Sequence, residues 1–225
     1  MTQARRNIVI LISGGGSNMA AIVRTAKQEH WLRRLGAQVA AVISNKADAG
    51  GLRFAREQGI ATAVVDHKAY PDRAAFDAAL AAQIDSHQPA LVVLAGFMRV
   101  LTPGFLEEFP ERVMNIHPAL LPSFPGLGVR LKAIEYGVRF SGCTVHFVDA
   151  GVDTGPIIIQ AVVPVYPDDT EEELKDRILA LEHKIYPKAI QLFAQGRLTV
   201  RGRKVFIRGL VKDDSQCLIN PPLTI

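Results

Sequence analysis

The sequence predicts an α/β protein built on a doubly wound, mostly parallel β-sheet, with mixed or antiparallel strands in its C-terminal half. In the first hundred residues, short apolar runs rich in β-branched side chains alternate with helix-like stretches. This alternation is typical of parallel strands joined by crossover helices. Beyond residue 110 the β-rich runs follow one another with only short connections, which favours antiparallel or mixed strands there.

The elements of the N-terminal half are bounded by glycine, proline and polar residues. Strands are predicted over residues 7–12, 38–44, 61–65 and 91–95, and helices over residues 19–28, 49–58 and 71–86. Gly59 suits the end of the second helix, because helices commonly end at a glycine. Pro71 is allowed in the first turn of the third helix, where its missing N–H is not needed.

The C-terminal half contains three further β-rich runs and one long helix. The runs cover residues 112–116, 142–148 and 157–165. Thr170 and Glu173 form a capping-box pattern that starts the helix. Leu174, Ile178, Leu181 and Ile185 then recur at helical spacing, so one face of the helix is expected to be buried.

The end of the chain is less regular. Pro187 is expected to kink or break the long helix, because proline removes a backbone hydrogen bond. A last edge strand is predicted over residues 201–210, followed by an irregular tail. We expect one domain over residues 1–200, with a nucleotide-binding N-terminal half and a catalytic C-terminal half, and an edge strand and tail over 201–225.

Composition and charge limit the possible functions. The 225 residues are 48% hydrophobic and 21% charged, which is ordinary for a globular protein. No apolar run approaches the roughly 20 residues of a membrane span, and residues 8–12 are too short for a signal-peptide core. The formal net charge of +4 fits either solubility or an anionic small substrate. Basic residues are not interleaved with aromatics in a stripe, so nucleic-acid binding is not expected.

The cysteine and histidine patterns argue against a disulfide-stabilised protein and against a structural zinc protein. Cys143 and Cys217 form neither a disulfide framework nor a Cys-x-x-Cys motif, so a reduced cytoplasm is the simplest setting. The six histidines lack metal-ligand spacing, so no structural zinc is expected.

A glycine-rich loop, SGGGSN at residues 13–18, joins the first strand to the first helix. Glycines let backbone N–H groups approach an anion, and the helix N-terminus adds positive partial charge. The loop lacks the Gly-Lys-Ser/Thr ending of an ATP-type loop and the full Gly-x-Gly-x-x-Gly spacing. A tight turn with a helix cap is the alternative. The glycine-rich loop lies at the carboxyl end of a parallel strand, and this position favours phosphate binding over the alternative.

Three later segments carry candidate chemistry. Asn115 and His117 lie two apart in a strand, so they share a face and could together hold an oxyanion. The segment 149–156 contains Asp153, which can have a catalytic role only if its carboxylate lies close to His117. Taken alone, this segment predicts a turn. Residues 95–103 could line an apolar slot for a flat ring, or form an ordinary loop over the core.

These segments carry a resemblance to a known family. The sequence resembles the phosphoribosylglycinamide formyltransferases, folate-dependent enzymes of purine synthesis, from about residue 7 to residue 200. The matching segments are ISGGGSN at 12–18, SNKADA at 44–49, VVLAGFMRVLTP at 92–103, NIHPALLPSFPGL at 115–127, GCTVHFVDAGVDTGPIIIQ at 142–160 and EHKIYP at 182–187. NIHPALLPSFPG with DTGPII is typical of the formyltransferase superfamily. GGGSN selects the branch that acts on the ribonucleotide.

The resemblance implies a Rossmann-like formyltransferase fold and a reaction. The formyl group of 10-formyltetrahydrofolate passes to the amine of 5'-phosphoribosylglycinamide, giving formylglycinamide ribonucleotide and tetrahydrofolate in de novo purine biosynthesis. Both substrates are small molecules; no metal, nucleic acid or membrane is implied, and the enzyme is a cytoplasmic monomer or homodimer.

The resemblance also implies roles for individual residues. His117 is the general acid, Asn115 lies beside it, and Asp153 sets the protonation of the His117 ring. The ribonucleotide contacts Gly16, Ser17, Asn18, Leu179 and Glu182. The folate is surrounded by Arg73, Met98, Arg99, Val100, Leu101, Asn115, Asp149, Ala150, Gly151 and Val152.

One stretch departs from the family pattern. Many bacterial members carry a His-x-His pair soon after Leu127, whereas this chain continues Gly128-Val129-Arg130. Any auxiliary role of those histidines is missing or taken by Arg130. Two alternatives remain open: a formyltetrahydrofolate hydrolase, whose family usually carries an extra N-terminal regulatory domain, and a non-catalytic nucleotide- or folate-binding module.

Overall fold

The computed structural model describes residues 6–211, 218 and 220, and this part of the chain forms one nine-stranded sheet with seven α-helices. The strands are β1 (Arg6–Ile12), β2 (Ala37–Ser44), β3 (Ala61–Val64), β4 (Pro89–Leu94), β5 (Val113–His117), β6 (Phe140–Phe147), β7 (Ile157–Pro164), β8 (Leu198–Arg201) and β9 (Lys204–Ile207). The helices are α1 (Ser17–Gln28), α2 (Trp31–Leu35), α3 (Gly50–Glu57), α4 (Arg73–Asp85), α5 (Pro103–Glu108), α6 (Val129–Tyr136) and α7 (Glu171–Ala194), with a 3-10 turn at His67–Ala69.

The N-terminal half is the predicted doubly wound unit. Its four strands and three helices are confirmed, with ends shifted by two residues or fewer. Strands β1 to β5 are parallel, in the order β3-β2-β1-β4-β5. The order reverses beside β1, because the chain moves outward to β3 and returns to β4 on the other side. Ligands collect at the carboxyl ends of the strands at such a reversal.

The C-terminal half contains the expected mixed strands. Strand β6 is antiparallel to both β5 and β7, so the prediction of antiparallel strands is confirmed. The prediction of a single strand over residues 201–210 is wrong, because β8 and β9 form a hairpin with Gly202 and Arg203 between them. Gly202 has φ 58°, a left-handed conformation that glycine adopts readily at the first position of such a turn. Residues 1–5, 212–217 (with Cys217), 219 and 221–225 lie outside the described residues, as does that part of the predicted tail.

Both faces of the sheet are covered by helices. Ile8, Ile10 and Ile12 of β1 join a core with α1 and α7, whereas Val9 and Leu11 join a core with α4 and α5. Successive side chains of a strand point to opposite faces, so a strand covered on both faces is apolar throughout. The uninterrupted apolar run of β1 therefore follows from its central place.

Helix α7 is continuous through Pro187, so the expected break is wrong. Proline removes one hydrogen bond to the preceding turn. The adjacent Tyr186, Ala189 and Ile190 are completely buried. Burying large side chains is worth roughly 1.5–3 kcal/mol each, so the packing of this face offsets the lost hydrogen bond. No helix in the described residues is both long enough and apolar enough to cross a membrane.

Tyr186 also fixes the position of α7 on the sheet. Its hydroxyl oxygen lies 2.9 Å from the carbonyl oxygens of both Leu94 and Met114, near the carboxyl ends of β4 and β5. Complete burial raises the pKa of this phenol well above 10, so the hydroxyl keeps its proton and donates. The middle of the helix is therefore attached to the two strands that carry the candidate site.

Gly142, in the centre of β6, is required for close strand packing. A Cβ atom there would collide with the carbonyl oxygen of Ala161 and lie 2.9 Å from Leu120 Cδ2. We expect Gly142→Ala to lower the free energy of unfolding by about 3 kcal/mol, measured by urea denaturation. Gly104→Ala is the control, because a Cβ atom at Gly104 in α5 has no neighbour within 4 Å, and this variant should retain full stability. Equal stability of the two variants would contradict the packing explanation.

Candidate active site

Two adjoining cavities lie at the carboxyl ends of β1, β4 and β5. The first, of about 250 Å³, is bounded by residues 13–18 and by Ala95, Gly96 and Met98. The second, of about 410 Å³, contains Asn115, His117 and Asp153 in its wall. Gly96 and Met98 line both cavities. The two spaces therefore meet at the loop after β4, at the reversal of strand order.

The glycine-rich loop has the geometry of an anion site. Gly16 adopts φ 72°, and a Cβ atom there would lie 2.9 Å from Met19 Cε and 3.3 Å from Gly51 Cα. Helix α1 begins at Ser17 with no side chain capping it and no acidic residue in its first turn. The N–H groups of that turn have no acceptor within the helix. Their positive partial charge is therefore directed toward the cavity.

Asn18 and Glu182 meet beside this loop. Asn18 Nδ2 donates to Glu182 Oε2 at 2.7 Å. Burial raises the pKa of the Glu182 carboxyl, whereas the Asn18 hydrogen bond and the charge of Arg130 oppose this shift. A carboxylate accepts hydrogen bonds from hydroxyl groups and repels phosphate. Glu182 therefore suits the sugar part of a nucleotide, and the N–H groups suit its phosphate.

The structure brings together the amide, imidazole and carboxylate that the sequence singled out. His117 Nδ1 lies 3.3 Å from Asp153 Oδ2, and its Nε2 lies 2.8 Å from the carbonyl oxygen of Phe124. The Nε2–H group donates to the Phe124 carbonyl, and the contact with Asp153 becomes an ion pair when the ring is the imidazolium. Asn115 lies two residues earlier, in the wall of the same cavity.

Asp153 connects the segments that surround His117. Its Oδ2 accepts a hydrogen bond from Gly126 N at 2.9 Å, and its Oδ1 lies 3.7 Å from His146 Nε2. Its own backbone has φ 54°, which is uncommon for a residue other than glycine. Such strained residues concentrate at functional sites, where the surrounding contacts hold them in place.

The second cavity is a mostly apolar slot with polar side chains along part of its wall. Its inner wall includes Leu94, Leu101, Ile116 and Val148. The predicted folate residues that line it are Met98, Arg99, Val100, Leu101, Asn115, Asp149, Gly151 and Val152. Ala150 and Arg73 are not in its lining; Arg73 is the exposed first residue of α4. Leu179 and Glu182 line neither cavity: Leu179 is half-buried on α7, and the buried Glu182 reaches the first cavity only through Asn18.

The comparison with known proteins decides the family. Residues 6–190 match the formyl transferase family. The chain belongs to this family. It is 45% identical over 203 residues to the phosphoribosylglycinamide formyltransferase of Escherichia coli (strain K12), a match that covers 90% of this chain and 94% of the relative.

Solved structures agree with this assignment. The crystal structure of glycinamide ribonucleotide transformylase 1 from Symbiobacterium toebii has a TM-score of 0.87 and 52% identity, covering 91% of this chain and 95% of that one. A formyltetrahydrofolate deformylase from Pseudomonas syringae pv. tomato has a TM-score of 0.82 and 27% identity, and the match covers 92% of this chain and 66% of that one. The sequence of this formyltransferase is thus more similar to the transformylase than to the deformylase.

Sequence reasoning missed one residue of the formyltransferase site, His146. It is buried in β6 directly opposite Asn115, and its Nε2 lies 3.3 Å from Asn115 Nδ2. Its Nδ1 lies 2.8 Å from the carbonyl oxygen of Phe147. A neutral ring with its proton on Nδ1 donates to Phe147 and accepts from Asn115. His146 therefore orients the amide. The available signal was a histidine within an apolar strand, but only strand register places it opposite Asn115.

Arg130 lies in the segment after Leu127 that departs from the expected pattern. It lines the second cavity, and its Nε lies 3.5 Å from Glu171 Oε1. Among the described residues, no cluster of three or more His, Cys, Asp and Glu side chains is arranged to hold a metal.

The buried ring of His146 predicts a pH dependence of stability. Burial lowers the pKa of His146 below its usual value of 6.5. Between the two pKa values the unfolded state binds more protons, so the free energy of unfolding rises with pH and this contribution is complete above about 6.5. We expect His146→Gln to reduce the loss of stability on acidification from pH 7 to 5, measured by urea denaturation. His30→Asn, at an exposed site, should leave the loss unchanged; a similar effect of both variants would contradict the assignment to His146.

Proposed function

We propose that this enzyme transfers the formyl group of 10-formyltetrahydrofolate to the amine of 5'-phosphoribosylglycinamide. The products are formylglycinamide ribonucleotide and tetrahydrofolate, a step of purine biosynthesis. One observation carries the proposal: Asn115, His117 and Asp153 converge in a cavity that adjoins a glycine-rich anion site. The names of the E. coli relative and the S. toebii structure support the same reaction.

The ribonucleotide fits the first cavity. Its phosphate accepts hydrogen bonds from the backbone around Gly16 and Ser17, at the N-terminus of α1. The Glu182 carboxylate, held by Asn18, accepts from the ribose hydroxyls. The glycinamide amine then extends past Gly96 and Met98, which border both cavities, toward His117.

The folate fits the second cavity. A space of about 410 Å³ is within the usual range for a small-molecule site, roughly 300–1,000 Å³. A flat pterin needs apolar surfaces above and below and hydrogen-bonding partners at its edge. Residues such as Leu101 and Ile116 supply the surfaces, and the backbone of Asp149 and Gly151 supplies the polar edge. The formyl group then lies at the junction, beside Asn115 and His117.

The reaction needs oxyanion stabilisation and two proton transfers. The amine nitrogen bonds to the formyl carbon, and the carbonyl electron pair moves to its oxygen. The amide of Asn115 donates to that oxyanion, the positive charge of the His117 imidazolium stabilises it through space, and Asp153 stabilises the positive ring. The oxyanion electron pair re-forms the carbonyl while the bond from carbon to the folate nitrogen breaks, and the proton that the attacking amine loses reaches that nitrogen by way of the His117 ring. General acid–base help of this kind contributes about 10²–10⁴-fold.

A formyltetrahydrofolate hydrolase is the nearest alternative. Its acceptor is water, so it has no use for an anion site beside the catalytic cavity. The glycine-rich loop and the hydrogen bond from Asn18 to the buried Glu182 therefore favour a phosphorylated acceptor. A binding module without catalysis would not need the buried contact between His117 and Asp153.

A coupled assay tests the proposal. The protein is mixed with 10-formyltetrahydrofolate, with and without phosphoribosylglycinamide, and tetrahydrofolate and formylated ribonucleotide are measured by mass spectrometry. The proposal expects both products only when the ribonucleotide is present. Tetrahydrofolate formed equally fast without it would establish the hydrolase, and neither product in either mixture would establish the binding module.

The glycine-loop assignment makes a separate prediction. Asn18→Ala removes the donor to Glu182 and leaves a buried carboxyl without this partner, which costs about 1–3 kcal/mol. We expect KM for the ribonucleotide to rise about 10-fold or more with KM for folate nearly unchanged, measured by steady-state kinetics. Ser86→Ala, on the exposed end of α4, is the control. A rise in KM for folate alone would show that the assignment is wrong.

A further inference from the structure

We propose that Ser13 is a positioning residue that couples the two cavities, so that occupation of the ribonucleotide site strengthens folate binding. This inference rests on the proposed function. Ser13 is the residue between β1 and the three glycines, and neither the sequence motifs nor the family roles assigned it a part in the reaction.

Three hydrogen bonds hold Ser13 against the loop that follows β4. Its hydroxyl oxygen accepts from Met98 N at 2.8 Å, and the hydroxyl donates to Asn45 Oδ1 at 2.6 Å. Its backbone N–H donates to the carbonyl oxygen of Gly96 at 3.0 Å. Because Ser13 is buried, water does not replace these partners.

Asn45 gives this arrangement a rigid support. Its side chain is 2% exposed, and its Nδ2 lies 3.3 Å from His67 Nδ1. It immediately follows β2, which pairs with a strand on each side, β1 and β3. The Ser13 hydroxyl is thus held on one side by the sheet and on the other by the loop after β4.

The segment 97–102 is packed into the core at Phe97 and Leu101, but its middle has few anchors. Met98 and Val100 are 67% and 55% exposed, so little packing holds the middle of the segment. Arg99 lies over the Phe76 ring at 5.7 Å. At the far end, the buried Asp77 Oδ2 accepts from Thr102 N at 2.6 Å. Ser13 and Asp77 therefore fix the two ends, and of these two only Ser13 is continuous with the glycine-rich loop.

This geometry links the two binding events. A phosphate held by the backbone around Gly16 restricts the loop that begins at Ser13, and Ser13 in turn restricts Gly96 and Met98. Gly96 and Met98 line both cavities. A ligand that orders the shared loop from one side reduces the ordering needed from the other, which gives positive coupling without a change of fold.

Calorimetry with the reaction product tetrahydrofolate, which carries no formyl group, measures this coupling. We expect saturating phosphoribosylglycinamide to lower the Kd of the wild-type enzyme for tetrahydrofolate about 5-fold or more. Ser13→Ala leaves Met98 N–H without its acceptor, so Kd without ribonucleotide should rise about 10-fold and the ribonucleotide effect should fall to about 1-fold. Ser13→Thr keeps the hydroxyl and should restore the effect.

Two controls separate coupling from a loosened loop. Asp77→Ala frees the other end of the same segment, so it should weaken tetrahydrofolate binding while the ribonucleotide effect persists. Ser141→Ala removes a buried serine hydroxyl from β6, outside both cavities, and should behave as the wild type. If Ser13→Ala does not fold, as judged by circular dichroism, Ser13→Cys takes its place, because sulfur is a weak acceptor of similar size.

The outcomes are distinct. An unchanged ribonucleotide effect in the Ser13 variant, equal loss of the effect in the Ser13 and Asp77 variants, or no effect in the wild type overturns the inference while leaving the proposed reaction intact. Failure of the wild type to bind tetrahydrofolate at all overturns the proposed function itself.

Discussion

Replacing His117 by alanine, or Asp153 by asparagine, is expected to lower kcat about 10²–10⁴-fold while the fold persists. Asp153→Asn keeps an oxygen for the hydrogen bond from Gly126 N but removes the charge that faces His117. Its loss of turnover therefore reports the electrostatic role of the carboxylate. His117→Ala removes the ring itself.

Kinetics at saturating substrates, together with thermal unfolding, measure the two effects. Asp85→Asn removes an exposed carboxylate from the end of α4 and is expected to keep full turnover. If the two site variants retain nearly normal kcat and the same unfolding temperature as the wild type, the acid–base role of this pair is wrong.

Asn115→Ala is expected to lower kcat about 10²–10³-fold, the usual effect of removing one oxyanion donor. The amide is held by His146 Nε2 at 3.3 Å, so its remaining N–H can point into the cavity. Asn115→Asp preserves the shape but replaces two donors with a negative charge, so it is expected to be slower still.

Single-turnover measurements separate this chemical effect from binding. The rate of formyl transfer with enzyme in excess should fall, whereas the Kd for tetrahydrofolate should change much less. If Asn115→Ala and Asn115→Asp both transfer the formyl group at nearly the wild-type rate, the amide does not contact the developing charge.

The N-terminal half of the fold was predictable because each element carries its own local signal. Apolar runs such as residues 8–12 report burial directly, and Gly59, with φ 75°, marks the end of α3. Short helices lacked such signals: α2 and α6 begin after residues in a left-handed conformation, His30 and Gly128, and have no side-chain cap. Helix α5 did carry one, Thr102 followed by Pro103, which sequence reasoning assigned to a loop.

The wrong expectations share a physical cause. Pro187 has an unfavourable local effect, but the buried face of α7 outweighs it. Residues 201–210 contain no Pro or Asn, and of their two glycines Gly202 allows the turn that divides the predicted strand. In both cases tertiary packing or one backbone conformation decides the structure, and composition does not report it.

In the site, too, some residues were predictable from local sequence, whereas their contacts depend on the fold. Asn115 and His117 were predictable from strand periodicity, and the resemblance supplied Asp153. The pairing of Asn115 with His146 depends on the register between β5 and β6, which hydrophobic patterns leave open. The contact from Ser13 to Met98 joins residues 85 positions apart, so only the folded chain reveals it.

The attachment of Tyr186 has a consequence for how α7 tolerates changes of length. Glu182 lies about one turn before Tyr186, and the phenol oxygen is hydrogen-bonded near the carboxyl ends of β4 and β5. Residues inserted ahead of Thr170 would lengthen the connection and leave the carboxylate where it is. A single residue inserted between positions 182 and 186 would swing the carboxylate by about 100° around the helix axis, away from the ribose. Natural or engineered insertions should therefore accumulate ahead of Thr170 and be absent from the turn that follows Glu182.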